Sequence, residues 1–470
     1  METNLTRGSA FRNILFFSGP FLFSNLLQTL YGMADLFIVG QYNGSASISG
    51  VSIGSQVMHM LTVMVIGLAM GTTVWIGRSV GEGRLSKARK VTGNTILLFA
   101  FVSLIFTILL LFLSGSIVKV MLTPAEAVSE TALYLKICFA GLPFIAAYNV
   151  IGSIFRGFGD SKTPTLFVVA ACICNITLDY LFIGGFGMKA AGAALGTVIA
   201  QAFSVLLALT VIRKRKLISL SKSDLHPDRE ILGQIIRTGL PICLQDGFIQ
   251  ISFVVITIIA NSRGVDIAAA VGITEKVIGF FFLVPSAMLA SVSAISAQCI
   301  GTGAFGQATK TLKYGCLIGL VFGILVCILS QFAGSSIIGA FTDEAAVIRF
   351  GAQYLSSYSA DCIFAAVSFA FSGFFTACGY SMISFIHNVL SIVLVRIPGT
   401  WIMSLLFPSS LFWMGLASPA GSLFSAVFCL IVYSYLKSKH RLFHHGRQDA
   451  AAVDENSDSQ SAAKNFLQSV

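Results

Sequence analysis

Charge is what this chain has least of. Asp, Glu, Lys and Arg make up 11% of it against 56% hydrophobic residues, and its mean hydropathy is +0.86. Soluble globular domains carry about 25% charged residues, so a water-soluble fold is excluded. The apolar stretches do not alternate with polar residues, which removes a transmembrane β-barrel and leaves helices. No Cys-x-x-Cys pair exists: the ten Cys are scattered, mostly inside apolar runs, and Cys172 and Cys174 point different ways on a helix. Reduced, packed thiols follow, not a metal site. A Walker phosphate loop, a soluble nucleotide domain and a His-Glu-x-x-His motif are missing, which disfavours an ATP-driven pump and a membrane-embedded metalloenzyme. A net charge of +10 would suggest nucleic acid in a soluble protein, but here the Lys and Arg fall in alternate loops. They mark the cytoplasmic side, and no nucleic-acid partner is expected.

What the chain has in abundance is runs of about 20 apolar residues, the length of a helix across about 30 Å of hydrocarbon. Twelve are legible, at about 17–39, 50–77, 92–117, 131–155, 165–185, 191–212, 235–260, 268–297, 312–341, 351–376, 382–407 and 414–436. The first is too long for a signal segment and is read as a retained helix. Pro20 lies in its first turns, where a bend is expected. Basic residues precede that helix and recur at 78–90, 156–162 and 213–229. Both termini and a linker at 213–234 are therefore expected in the cytoplasm of a multi-pass inner-membrane protein. The tail, 437–470, is polar and expected to be disordered.

Sliding the chain on itself by about 220 residues aligns Val51 with Val271, Gly81 with Gly301, Gly83 with Gly303, Tyr134-Leu135 with Tyr354-Leu355, and Gly159 with Gly379. The expected fold is an all-α membrane protein of twelve transmembrane helices in two six-helix lobes, 1–212 and 235–436, related by this repeat. An even number of spans per unit keeps both lobes in one orientation around a central cavity. Alternating access between the lobes, and hence transport, is the natural use.

Two carboxylates interrupt the first lobe's apolar runs, Asp35 and Asp179, each costing roughly 2.5–3.5 kcal/mol on insertion scales. Tyr31 lies one turn before Asp35, and Asn175 one turn before Asp179, so each pair shares a helix face. Asp35 and Asp179 each precede an outer loop by about 7–8 Å of helix, and Thr197 enters from outside to about 10 Å. All three occupy one level. Lys136, near an outer end, is the only base read inside a first-lobe span. Two carboxylates without a resident base cannot both stay charged in a dry pocket, so one takes a proton or a cation joins them. Asn175, Thr197 and Tyr31 supply neutral oxygens that suit Na⁺ and equally suit a half-protonated pair. The second lobe buries Asp246, Glu275, Lys276, Asp361 and Arg396, which could neutralise one another.

At these residues the sequence resembles the MATE family, the multidrug and toxic compound extrusion transporters, over about residues 10–436. The likeness is strongest to the prokaryotic branch whose coupling site lies in the N-lobe. Its motifs are Tyr31 with Asp35, Gly81-Glu82-Gly83 with Ala88, the turn from Arg156 to Pro164, Asn175 with Asp179, and Thr197. The resemblance implies cation-coupled export of amphipathic, often cationic compounds. It implies a coupling site of Asp35, Asn175, Asp179 and Thr197 with Tyr31 beside it, and Pro20 as a bend point. No cofactor is implied beyond H⁺ or Na⁺, no metal beyond Na⁺, and no partner beyond small molecules and membrane lipids around a monomer. Some branches carry an acid in the seventh helix where this chain has Gln250, with Asp246 one turn earlier. The rival is a flippase for lipid-linked sugars of the same superfamily, which would line its cavity with bases; no cluster of Lys or Arg is read inside these spans.

Overall fold

The computed structural model describes residues 5–215 and 220–443. Most of the tail expected to be disordered, residues 444–470, and residues 216–219 of the linker lie outside the described residues. Among the described residues twelve spans follow one another. They are α1 (Ala10–Tyr42), α2 (Ser45–Gly81), α3 (Leu85–Val120), α4 (Val128–Ala140 with Leu142–Gly157), α5 (Lys162–Asp179, continued by Tyr180–Gly185) and α6 (Lys189–Arg215). The second set is α7 (Arg229–Asn261), α8 (Val265–Phe281 with Leu283–Gly301), α9 (Phe305–Gly339), α10 (Ala345–Tyr358 with Asp361–Cys378), α11 (Ser381–Ser391, Ile392–Arg396 and Ile397–Leu406) and α12 (Phe412–Gly415 with Ala417–Ser438). The two pieces of α4 meet at 55° where Gly141 and Pro143 interrupt the helix. α1 passes through Pro20 as one uninterrupted helix.

Local chemistry sets a few of the helix ends. Asp228 caps α7 by accepting from the N–H groups of Glu230 and Ile231 at 2.9 and 3.2 Å, satisfying donors the first turn leaves open. Gly83 and Gly303, repeat-related, both turn the chain at positive φ, 71° and 73°, where a side chain would be strained. The lipid-facing side is equally repetitive. Phe112 on α3 and Phe332 on α9 are 84% and 89% exposed at corresponding positions, the reverse of a soluble surface and the expected face toward acyl chains.

Inside each lobe, repeat-related residues form an apolar core: Val51, Tyr134 and Leu135 with Ile183 in the first, Val271, Tyr354 and Leu355 with Met414 in the second. Between lobes, α2 lies directly on α7 and α8. A methyl added to Gly71 would collide with the carbonyl of Ile235, and one on Gly239 with that of Leu68; Gly81 and Gly301 meet the carbonyls of Gln298 and Arg78 in the same way. Small residues let backbones approach this closely, which is how helices gain packing energy without a hydrophobic drive. Hydrogen bonds cross the same seam. Trp75 Nε1 donates to Gln234 O and Thr238 Oγ1 at 3.1 and 3.0 Å, Gln298 Nε2 donates to Gly157 O at 3.1 Å, and Arg78 Nε donates to Ala377 O at 3.1 Å. The linker is tied to α3, where Asn94 receives the N–H of Asp228 at 2.7 Å. The first tail residues also pack back, with the Phe443 ring stacked on Phe305 at 4.6 Å.

Candidate functional site

In the first lobe α1, α5 and α6 bring their polar residues together, at the end of α1 away from Pro20. Asp35, Asn175 and Asp179 are buried, at 5%, 1% and 0% exposure. Asp35 and Asp179 face each other, with the Asn175 amide beside them. Thr197 Oγ1 donates to Asp35 Oδ2 at 3.3 Å. Tyr31 is half-buried next to Gln201 and within electrostatic reach of Asp35. All five residues singled out in the sequence therefore converge. Pro20 does not; it lies near the far end of α1, where its carbonyl accepts from Ser24 Oγ and Thr165 Oγ1, both at 2.9 Å.

Two features of this site carried no sequence signal. Gly196 is one: a methyl there would run into Asp179 Oδ1, so α6 can close on α5 only without a side chain. The other is the π-helical turn Tyr180–Gly185 directly after Asp179, in which Phe186 N–H reaches back to Leu181 O at 3.0 Å. Such widened turns are frequent at functional sites because they re-aim the side chains beside them.

The site's chemistry is that of oxygens without a base. Asp35 Oδ1, both Asp179 oxygens and both Asn175 amide atoms are buried without a hydrogen-bond donor or acceptor in the chain. Among the described residues no Lys or Arg lies within ion-pair distance of either acid. A buried carboxylate left so costs far more than a neutral group, and one shared proton or a small cation relieves both at once. Among the described residues no three His, Cys, Asp or Glu converge as a metal site. Gly50-Val51-Ser52-Ile53-Gly54 spells the letters of a hydrolase nucleophile elbow, but it lies inside the helix Ser45–Gly81, not at the strand-to-helix turn that motif requires.

The second lobe resolves its charges differently. Arg396 Nη2 bonds to Asp361 Oδ2 at 3.1 Å and to Ser422 Oγ at 3.2 Å. Glu275 Oε2 accepts from Thr257 Oγ1 at 3.3 Å, and Asp246 lies against Gly67 at the seam. Lys276, expected to take part in this neutralisation, is exposed. Position on α8 explains it, since the residue after Glu275 is turned about 100° away. The expectation that Lys136 is the only first-lobe base inside a span also fails. Arg78 is 2% exposed within α2, and Arg156 stands inside the last turn of α4, because both helices continue past the ends of their apolar runs. Met288 is packed in the second lobe's core with Phe17 and Phe371.

A family model, MatE, matches residues 20–181 and 241–402, one segment in each lobe. The chain is 26% identical over 432 residues to the "Probable multidrug resistance protein YpnP" of Bacillus subtilis (strain 168), covering 92% of this chain and 96% of that protein. It is 25% identical over 431 residues to the "Multidrug export protein MepA" of Staphylococcus aureus (strain MRSA252), covering 91% and 94%. In fold it is similar to a solved structure described as "Outward-facing conformation of a multidrug resistance MATE family transporter of the MOP superfamily", with a TM-score of 0.85 and 21% identity over 97% of this chain and 99% of that one.

Proposed function

Because the chain belongs to the MatE family, we propose that it is a secondary active multidrug exporter that moves amphipathic, often cationic compounds outward in exchange for H⁺ or Na⁺. The observation that carries this reading is the facing pair of buried carboxylates, Asp35 and Asp179, with no base beside them. Asn175, Thr197 and Tyr31 complete the coupling site with neutral oxygens. The lobes are joined along α2, α7 and α8 in the half that holds the Gly81–Gly83 and Gly301–Gly303 turns. We take that half as cytoplasmic, with both termini and the linker, in an inner membrane around a monomer. The site then faces the outside, where the ion arrives down its gradient.

Loading the pair removes the negative charge that draws a cationic drug. By reciprocal linkage, drug binding weakens ion binding by the same factor, and the two exchange. Pro20, which lacks an N–H to hold α1 straight, gives that helix a place to bend as the loaded site draws its outer end toward α5 and α6. No cofactor and no catalytic step enter this cycle.

The test uses proteoliposomes without nucleotide. An imposed inward H⁺ or Na⁺ gradient should drive drug outward, and Asp35→Asn or Asp179→Asn should reduce that movement to the level of empty vesicles while protein is still inserted. Wild-type export by either variant, or uphill movement with no ion gradient, would falsify the reading.

A further inference from the structure

The second lobe carries a polar groove that the coupling site does not use. Between α9 and α10, at the ends of both helices away from the Gly301–Gly303 turn, lies an open groove of about 610 Å³. Its polar lining is Ser330, Gln331 and Ser335 from α9 with Arg349, Gln353 and Ser356 from α10. The volume is that of a ligand site. Polar residues are out of place here, because Leu325, Ile328, Leu329 and Phe332 on the same stretch of α9 are all exposed, as on a face toward acyl chains. Nor does the fold require them. With Phe332 matched to Phe112 and Tyr354 to Tyr134, the first lobe has Leu110, Leu111 and Leu133 in place of Ser330, Gln331 and Gln353.

What the groove offers is donors. Ser330 is 1% exposed, and its hydroxyl is buried without a partner in the chain. Gln331 Nε2 is already used, donating to Ser356 O at 2.6 Å. The Gln353 side chain uses only its oxygen, which accepts from Ser410 Oγ and from the N–H of Leu411 at 3.4 and 3.3 Å, so its NH₂ group is left for another acceptor. The Arg349 guanidinium rests on the Phe350 ring at 4.9 Å, and among the described residues no Asp or Glu pairs with it. Asp343 and Glu344, the acids nearest in sequence, are exposed and outside the lining, which contains no carboxylate. One cation, one buried hydroxyl and one amide NH₂ together suit an oxyanion.

We infer that this groove seats the phosphate of an anionic phospholipid, held by Arg349, Ser330 and Gln353, with an acyl chain along the exposed stripe of α9. Depth supports a lipid. The 35 residues of α9 make about 52 Å of helix against about 30 Å of hydrocarbon, leaving about 11 Å at each end. Ser335 and Ser330 lie about 6 and 14 Å inside the end of α9, so the groove spans the headgroup level and the top of the hydrocarbon. Leu325, Ile328, Leu329 and Phe332 recur at the spacing of one helix face and carry an apolar track from the groove into the bilayer. A basic pocket between spans is the form that anionic headgroups recognise. A zwitterionic lipid fits less well, since the lining has no acid to receive choline or ammonium. In the orientation proposed above this is an outer-leaflet lipid; binding itself does not depend on that orientation.

The experiment titrates the full chain in detergent with dioleoylphosphatidylglycerol or dioleoylphosphatidylcholine and counts the first lipid bound by native mass spectrometry. Wild type should bind the anionic lipid about fivefold more tightly, the effect of one Arg at a membrane surface. Arg349→Gln should erase that preference and leave phosphatidylcholine within about twofold. The double change Ser330→Leu with Gln331→Leu gives α9 the first lobe's residues, keeps Arg349, and should erase the preference as well. If it does not, Arg349 is a plain charge reaching for the interface, and the inference is overturned. Lys136→Gln, an exposed base of the first lobe, should leave the preference intact; an equal loss there overturns the site. Displacement of the bound lipid by inorganic phosphate would make the occupant a free anion and overturn the lipid assignment. Should a variant fail to accumulate, equal affinity of the wild type for the two lipids still overturns the inference.

Discussion

The two lobes are duplicates that treat charge in opposite ways. The matched segments 20–181 and 241–402 are equal in length, one in each lobe. In the first lobe the neutral amide of Asn175 stands beside two carboxylates with no Lys or Arg within ion-pair distance among the described residues. In the second, the Arg396 guanidinium is bonded to Asp361 at 3.1 Å. The second lobe thus carries its own cation, tethered to α11, while the first is left one positive charge short. The difference separates acids that the fold neutralises from acids that it does not: Asp361 is bonded to a resident cation, while Asp35 and Asp179 have none within ion-pair distance among the described residues.

Breaking the second lobe's pair should have the largest effect on stability. Asp361→Asn leaves Arg396 buried and alone, an error that costs about 3–5 kcal/mol, and thermal unfolding in detergent should report it. The double change Asp361→Leu with Arg396→Met should recover most of that loss and most of the export. Asp35→Asn and Asp179→Asn should do the reverse, sparing stability and abolishing export. If Asp361→Asn proves as stable as wild type, the contrast between the lobes fails. Gly196→Ala comes next, because its methyl must push Asp179 aside. Overpacking of this kind costs about 1–3 kcal/mol, and gradient-driven export should fall about tenfold at unchanged protein level. Thr197→Val is the mildest. It removes a 3.3 Å hydrogen bond that steadies the Asp35 carboxylate, a loss of about 1 kcal/mol, and should shift ion affinity about fivefold in a titration of drug release, tightening it for H⁺ and weakening it for Na⁺.

The fold was legible because hydropathy reports span position directly, and the repeat because its glycines mark turns that favour glycine, as at Gly83 and Gly303. The acid site was legible because a carboxylate in an apolar run stands out, and four-residue spacing put Tyr31 and Asn175 on the right faces. Gly196 was not, since among 44 glycines a close approach between helices leaves no local mark. The π-helical turn after Asp179 is set by packing of α5 on α6, beyond the reach of a local pattern. Arg78 and Arg156 were assigned to loops because the apolar runs end before the helices do. The second lobe's charges could be counted, but only geometry tells that Arg396 takes Asp361 and that Lys276 takes no acid.

The glycines along α2 have a mechanical meaning as well. Where Gly71 meets Gly239 and Gly81 meets Gly301, peptide rests on peptide, so at these points only backbone has to separate before the lobes part. The seam behaves as a plain bearing, held shut by a few hydrogen bonds such as those of Trp75 and Arg78. Such a bearing runs freely yet tolerates no grit. One methyl at Gly71 or Gly239 is a wedge between the lobes, which makes this stretch of α2 the natural handle for prising the seam open.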